Sequence, residues 1–319
     1  MEPTKNQSSN GGGFSGRILR QPRKAMSGIV YSTAIVLMLV VSLFYSFILT
    51  AIVRSSGVSL EEMKTQDWYK YLSYALYQIV YVATVLLFAL LYKQKPCAFG
   101  YRKTHPKYFL VAAFLLFGLL FSLNWVNGQF VALLEKIGYT MPESSLPSLA
   151  GGGIVGVLFV VAVLPAVLEE TIFRGIILDG IKDIGTVAAC LLGGLLFSIF
   201  HQNPAQTIYQ FICGAAFTLV AVRADSVLPT IFMHFANNAL IIFDAKYAFF
   251  TNMNGGAYIA VCVLSALSLV GSLVWLIFFD KKTNRKKEGE IRPFIYPALV
   301  GIILCGVMWI SALITGITG

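Results

Sequence analysis

The sequence predicts an all-α, polytopic transmembrane helix bundle of about nine spans, with eight as the alternative count. Three observations predict it. Hydrophobic residues make up 57% of the chain and charged residues only 12%, against roughly 25% charged in a soluble domain. A mean hydropathy of +0.75 is sustained over 319 residues, so there is too little polar surface to cover a globule and most apolar side chains must face lipid. The uncharged runs also come in lengths near the roughly 20 residues that cross a ~30 Å hydrocarbon core at ~1.5 Å per residue. A water-soluble protein is excluded. The net charge of +9 then reads as a bias of cytoplasmic loops, which makes the lipid bilayer a partner and nucleic acid none. Cys97, Cys190, Cys213, Cys262 and Cys305 stand singly, mostly in apolar runs, and indicate neither a disulfide framework nor a zinc ribbon.

Residues 1–26 are rich in Ser, Gly, Asn and basic side chains without an apolar period and are expected to form a disordered basic cytoplasmic tail. Ser27–Val53 follows without a charge; it is too long for a signal-peptide core and reads as a retained anchor. Further spans are expected at Tyr71–Tyr92, Tyr108–Leu134, Ile154–Leu178, Thr186–Phe200, Ala205–Val222, Val227–Phe243, Ala257–Phe279 and Phe294–Ile314. Residues 27–150 thus hold the N-terminal spans, 151–246 a core with the polar residues, and 247–319 the C-terminal spans. With the N-terminus inside and Arg174 set aside because it lies on a span, the cytoplasmic segments hold 18 Lys and Arg and the opposite side only Arg54, Lys64, Lys70, Lys136 and Lys246. That asymmetry orients the chain, with its N-terminus cytoplasmic, as an integral protein of the plasma membrane.

An ionised side chain at bilayer depth costs about 2.5–3.5 kcal/mol even on the insertion scale, so such residues pair, line a cavity or do chemistry. They concentrate in three successive spans. The fourth carries Pro165, Glu169, Glu170 and Arg174; the fifth ends in Phe197 and His201; the seventh contains His234, Asn237 and Asn238. Glu170 and Arg174 are i and i+4, hence on one face and spaced to form an ion pair, while Glu169 points about 100° away. Phe197 and His201 share a face in the same way, as do His234 and Asn238. Pro165, four residues before Glu169, disturbs the preceding turn and can open room for water beside the carboxylate. Gly193-Gly194 and Gly214 read as close helix-packing sites. Asn237, one position off the His234 face, reads as structural.

Glu169-Glu170-x-x-x-Arg174, Phe197-x-x-x-His201 and His234-x-x-x-Asn238, in that order, resemble the three motifs of the CAAX-processing and bacteriocin-processing intramembrane endopeptidases, the CPBP or Abi family. The resemblance covers about Ile154–Ala245. It implies a protease in which Glu169 and His201 activate water while His234 and Asn238 stabilise the oxyanion. The residue chemistry agrees: a partly desolvated Glu169 suits a general base, His201 can orient the water and pass a proton to the leaving amine, and His234 and Asn238 are donors for a developing oxyanion. Glu170, Arg174 and Phe197 are then structural support. Whether a metal takes part stays open at this level, because Glu169, His201 and His234 match the three protein ligands of a catalytic zinc. The metal-free version is favoured, since Asn238 beside His234 is a better oxyanion donor than a zinc ligand. No other cofactor is indicated. The substrate is expected to be a peptide or membrane protein, without a choice between prenylated tails and secreted peptides, and the oligomeric state is left open. Two other functions fit some of the residues: a catalytically silent immunity or scaffold protein, and a proton- or metal-coupled carrier using the same groups as a relay. Counting depth from the turns near Asp183 and Ala224 leads to the expectation that water reaches Glu169 from the cytoplasmic side, through a cavity bounded by spans four, five and seven.

Overall fold

The computed structural model describes residues 23–91, 99–141, 145–280 and 287–318. Among them there is no strand. Nine helical rods follow in order: α1 (Arg23–Ser56), α2 (Asp67–Leu91), α3 (Lys107–Lys136), α4 (Gly153–Ile184), α5 (Thr186–Phe200), α6 (Pro204–Ala224), α7 (Leu228–Tyr247), α8 (Gly255–Phe279) and α9 (Arg292–Thr318). A short helix, Leu60–Thr65, capped by the Ser59 hydroxyl accepting from the Glu62 amide, links α1 to α2. Seven rods are long and apolar enough to cross a membrane, and α5 and α7 are not among them. This is where the structure departs from a simple count of nine spans. At 15 residues α5 reaches only ~22 Å, short of a ~30 Å core, and α7 carries His234, Asn237, Asn238, Asp244 and Lys246 among its 20 residues.

Residues 1–22 of the expected tail lie outside the described residues, as does Cys97. The tail's last four residues, 23–26, are already helical, contrary to the boundary set at 26. The reason is electrostatic: Arg23 pairs with Asp179, and Lys24 meets Asp183 at 2.8 Å and the Glu290 carbonyl at 2.6 Å. One turn on, the Ser27 hydroxyl donates to the Ile176 carbonyl at 2.8 Å.

The rods run back and forth between two faces, and contacts between their ends identify each face. On one, Arg23 and Lys24 meet the end of α4, Arg102 pairs with Asp225 at 2.9 Å, and Lys107 with Asp280 at 3.1 Å. On the other, the Thr140 amide donates to the Gly316 carbonyl at 2.7 Å, the Ser148 amide to Asp67 at 2.9 Å, and the Tyr71 hydroxyl to the Gly153 carbonyl at 3.0 Å. Large apolar side chains point outward between the faces. Phe47 is 75% exposed and Phe278 74%, an arrangement that only lipid would satisfy.

Two apolar clusters flank the centre. One joins α1, α2, α4, α5 and α9 through Tyr31, Tyr81, Phe173, Leu196, Phe200 and Phe294. The other joins α3, α6 and α8 and takes Met233 from α7. Between helices in lipid there is no hydrophobic driving force, so close approach and dispersion must hold them, which favours small residues at crossings. The α5–α6 crossing shows this. A Cβ added to Gly214 would lie 2.9 Å from the Gly194 Cα, and one added to Gly194 would lie 2.6 Å from the Phe211 carbonyl oxygen.

Candidate active site

The central part of α4 is irregular, and the sequence explains why. Two π-helical stretches, Leu158–Val163 and Thr171–Ile177, enclose a short α-helical segment, Leu164–Glu170, that carries both glutamates. Pro165 has no N–H, so the Val161 carbonyl four residues earlier lacks its regular donor. The Asn238 side-chain amide supplies one instead, at 2.9 Å. The broken backbone bond of α4 is therefore repaired by α7, and the repair aims Asn238. Its carbonyl oxygen accepts from the Asn237 amide at 3.0 Å, and the Asn237 oxygen accepts from the Tyr209 hydroxyl at 3.0 Å. With one N–H on Val161, the other N–H of Asn238 remains for a ligand.

The adjacent glutamates have different surroundings. Glu170 is fully buried, and its Oε1 lies 2.8 Å from Arg174 Nη1 and 3.0 Å from His234 Nδ1. The ion pair expected from the i, i+4 spacing is present, but the same oxygen also holds the imidazole of α7, a contact the spacing does not contain. Arg174 further donates to the Gly214 carbonyl at 3.1 Å, and its guanidinium lies 4.3 Å from the centre of the Phe197 ring. Such stacking at buried sites adds to the ion pair. Phe173, Phe197 and Phe200 complete this layer with edge-to-face contacts at 5.0 and 5.2 Å. Glu169 is 9% exposed, and its Oε2 has no protein hydrogen-bond partner. It faces a cavity.

His201 sits where α5 stops. Its Nδ1 lies 2.8 Å from the Phe197 carbonyl oxygen, which can only accept, so Nδ1 carries the proton and Nε2 is left with its lone pair. The Phe197 ring lies 4.5 Å from the imidazole, as the shared face requires. α5 ends at Phe200, and the turn that follows it lines the cavity at His201.

Glu169, His201, His234 and Asn238 all line one cavity of about 330 Å³. Phe197 and Asn237 line it too, Asn237 bonded between Tyr209 and Asn238. Glu170 and Arg174 lie behind its wall. The structure adds walls the motifs did not reveal: Tyr77, Gln78 and Tyr81 from α2 and Gln206, Tyr209 and Gln210 from α6. Gln78 is the only amide in the run Tyr71–Tyr92, and Gln206 and Gln210 are i and i+4; these were the signals available in the sequence.

The cavity has more walls than the three motif-bearing spans. Its outer walls include Leu146, Tyr74 and Gln206, which lie at the helix ends remote from the turns at Asp183 and Ala224. Toward those turns, every residue of α4 from Glu169 to Leu178 is buried. Besides spans four, five and seven, spans two and six contribute walls. Among the described residues, no group of three His, Cys, Asp or Glu side chains is placed to hold one metal ion. Glu169, His201 and His234 line the same cavity without converging as a zinc ligand set, so the arrangement as it stands does not fit that ion.

Residues 151–240 match a family model described as type II CAAX prenyl endopeptidase Rce1-like. No curated protein and no solved structure matches the chain. The matched segment runs from the start of α4 through α7 as far as Leu240 and contains every motif residue around the cavity. Residues 151–240 are thus a domain similar to the type II CAAX prenyl endopeptidases, in a chain whose described residues include seven helices long and apolar enough to cross a membrane.

Proposed function

We propose that the chain is an intramembrane endopeptidase whose water is activated by Glu169 and His201 and whose oxyanion is held by His234 and Asn238. The observation that carries this reading is that these four side chains, from α4, α5 and α7, line a single cavity at membrane depth. Glu169, with an oxygen free of protein partners, takes a proton from water as the water oxygen bonds to the scissile carbonyl carbon. His201 accepts from that water through Nε2, because its Nδ1 proton is engaged by Phe197. When the C–N bond breaks, the proton taken from water passes to the leaving nitrogen, with His201 as the relay.

The oxyanion faces the free N–H of Asn238 and the ring of His234. With Nδ1 held against Glu170, Nε2 is the nitrogen of His234 left for a substrate, and it donates when the ring carries both protons. Each donor is anchored on a second group, Val161 for Asn238 and Glu170 for His234, so little reorganisation is needed as charge develops. No step requires a metal. The protein is read as an integral component of the plasma membrane with a cytoplasmic N-terminus, acting on a peptide or membrane-protein substrate. Incubating the purified chain in detergent with a library of neutral peptides, and identifying products by mass spectrometry, tests the reading. Cleavage by the wild type and none by Glu169→Gln is expected; equal cleavage by both would overturn it.

A further inference from the structure

We infer that Gln78, on α2 and outside the segment matched by the family model, is a further substrate-binding residue, whose side-chain amide pairs with the backbone of the peptide held in the cavity. This rests on the peptidase reading above and adds a residue to it. Gln78 is 6% exposed, in a run from Tyr71 to Tyr92 that holds no second amide and no charge. A buried primary amide is costly unless it is hydrogen-bonded, and between membrane helices its ordinary partner is a neighbouring helix. Gln78 takes none. Its Oε1 is buried without a partner, and among the described residues its Nε2 donates to no other group.

The other amides of the cavity are already engaged. Asn238 donates to the Val161 carbonyl, Asn237 lies between Tyr209 and Asn238, and Gln210 reaches Gln206 at 3.5 Å. Gln78 alone among them lines the cavity both deeply buried and unbonded, so what fills the cavity must satisfy it.

Its chemistry selects a peptide backbone. In an extended chain the N–H and C=O of one residue point the same way, side by side, and a side-chain amide offers the matching acceptor and donor. One residue of a bound peptide can thus exchange two hydrogen bonds with Gln78, as it would with an adjacent strand. Tyr74 and Tyr81, at i−4 and i+3, share this face of α2 and line the same cavity, so rings flank the amide along the peptide's path. α2 packs on the Leu164–Glu170 segment that carries Glu169. Gln78 Oε1 and Glu169 Oε2, both acceptors buried without protein partners, then divide the work: the amide takes a peptide N–H and the carboxylate takes the attacking water.

The test uses Gln78→Met, which keeps the side-chain length and removes both hydrogen-bonding groups. On the neutral peptides that the wild type cleaves, KM should rise about 10-fold and kcat change by less than about 3-fold, the pattern of lost ground-state binding. An unchanged KM would overturn the inference. Unfolding in detergent without peptide separates binding from support: Gln78→Met should unfold no lower than the wild type, and a clear drop would show that the amide braces the bundle instead. If Gln78→Met does not accumulate, Gln78→Asn, which withdraws the amide by one methylene, gives the same comparison. Binding is also read without turnover, by passing the neutral peptide library over immobilised Glu169→Gln and over Glu169→Gln carrying Gln78→Met. Peptides should be retained by the first and released about 10-fold more readily by the second. Equal retention, or retention by neither, would overturn the inference. Retention that depends on Gln78, in a protein whose wild type cuts no peptide, would overturn the peptidase reading and leave the role of Gln78 standing.

Discussion

Glu169 and Glu170 are consecutive in one helix, yet one belongs to the open half of the bundle and the other to the closed half. On the open side, α2, α4, α6 and α7 diverge around a cavity walled by amides and rings, and Glu169 has an oxygen without a protein partner. On the closed side, Glu170 is fully buried and its Oε1 serves Arg174 and His234 at once. A turn of 100° separates a carboxylate that faces the cavity from one held between two partners. The difference is one of partners: Glu170 and Arg174 form a packed floor beside the cavity that Glu169, His201, His234 and Asn238 line.

The strongest way to break this comparison is to remove the open-side base. Glu169→Ala, His201→Ala and His234→Ala should each lower peptide cleavage by about 10²–10⁴-fold, the usual contribution of a positioned acid or base. For Glu169→Ala, thermal unfolding in detergent should stay near that of the wild type, because this carboxylate holds no helix. Full activity in Glu169→Ala would remove the distinction between the two glutamates. The closed side should respond in the opposite way. Glu170→Gln or Arg174→Ala leaves a buried charge uncompensated, at about 3–5 kcal/mol for a fully desolvated pair, and the loss should appear as a lower unfolding midpoint together with lost activity. If both variants unfold like the wild type, the floor is not held by the pair.

Asn238 straddles the two halves and sharpens the comparison. Asn238→Ala removes an oxyanion donor, for which about 10²–10³ in kcat is expected, measured with substrate saturating. It also strips the Val161 carbonyl of its donor, so a stability loss of about 1–3 kcal/mol should accompany it. Pro165→Ala in that background, by restoring a backbone N–H, should recover part of the stability and none of the rate. The smallest expected effect is Gly214→Ala: its Cβ would meet the Gly194 Cα at 2.9 Å, forcing α5 and α6 apart at about 1–3 kcal/mol, read as a lower unfolding midpoint.

What was legible in the sequence follows from local geometry. Apolar runs near 20 residues mark the rods, and the i, i+4 spacing alone brings Glu170 to Arg174 and Phe197 to His201, because helix pitch does not depend on the rest of the fold. The close packing at Gly194 and Gly214 was legible for the same reason: only the absence of a Cβ permits such an approach. The site's walls were legible in part: α4, α5 and α7 through their motif residues, α2 and α6 not. Counting residues from the Asp183 turn gives a distance along α4 but not which end the neighbouring helices leave open.

Composition and spacing thus determined that this protein lives in a membrane, which helices carry its candidate site residues, and which of those residues are near neighbours along a helix. The tertiary structure decided that Glu170 also holds His234, that Asn238 replaces the hydrogen bond Pro165 cannot make, and that α2 and α6 supply walls. Those contacts depend on the rotation and tilt of each helix against the next. In lipid these are set by side-chain packing over the whole bundle, and no short stretch of sequence encodes them.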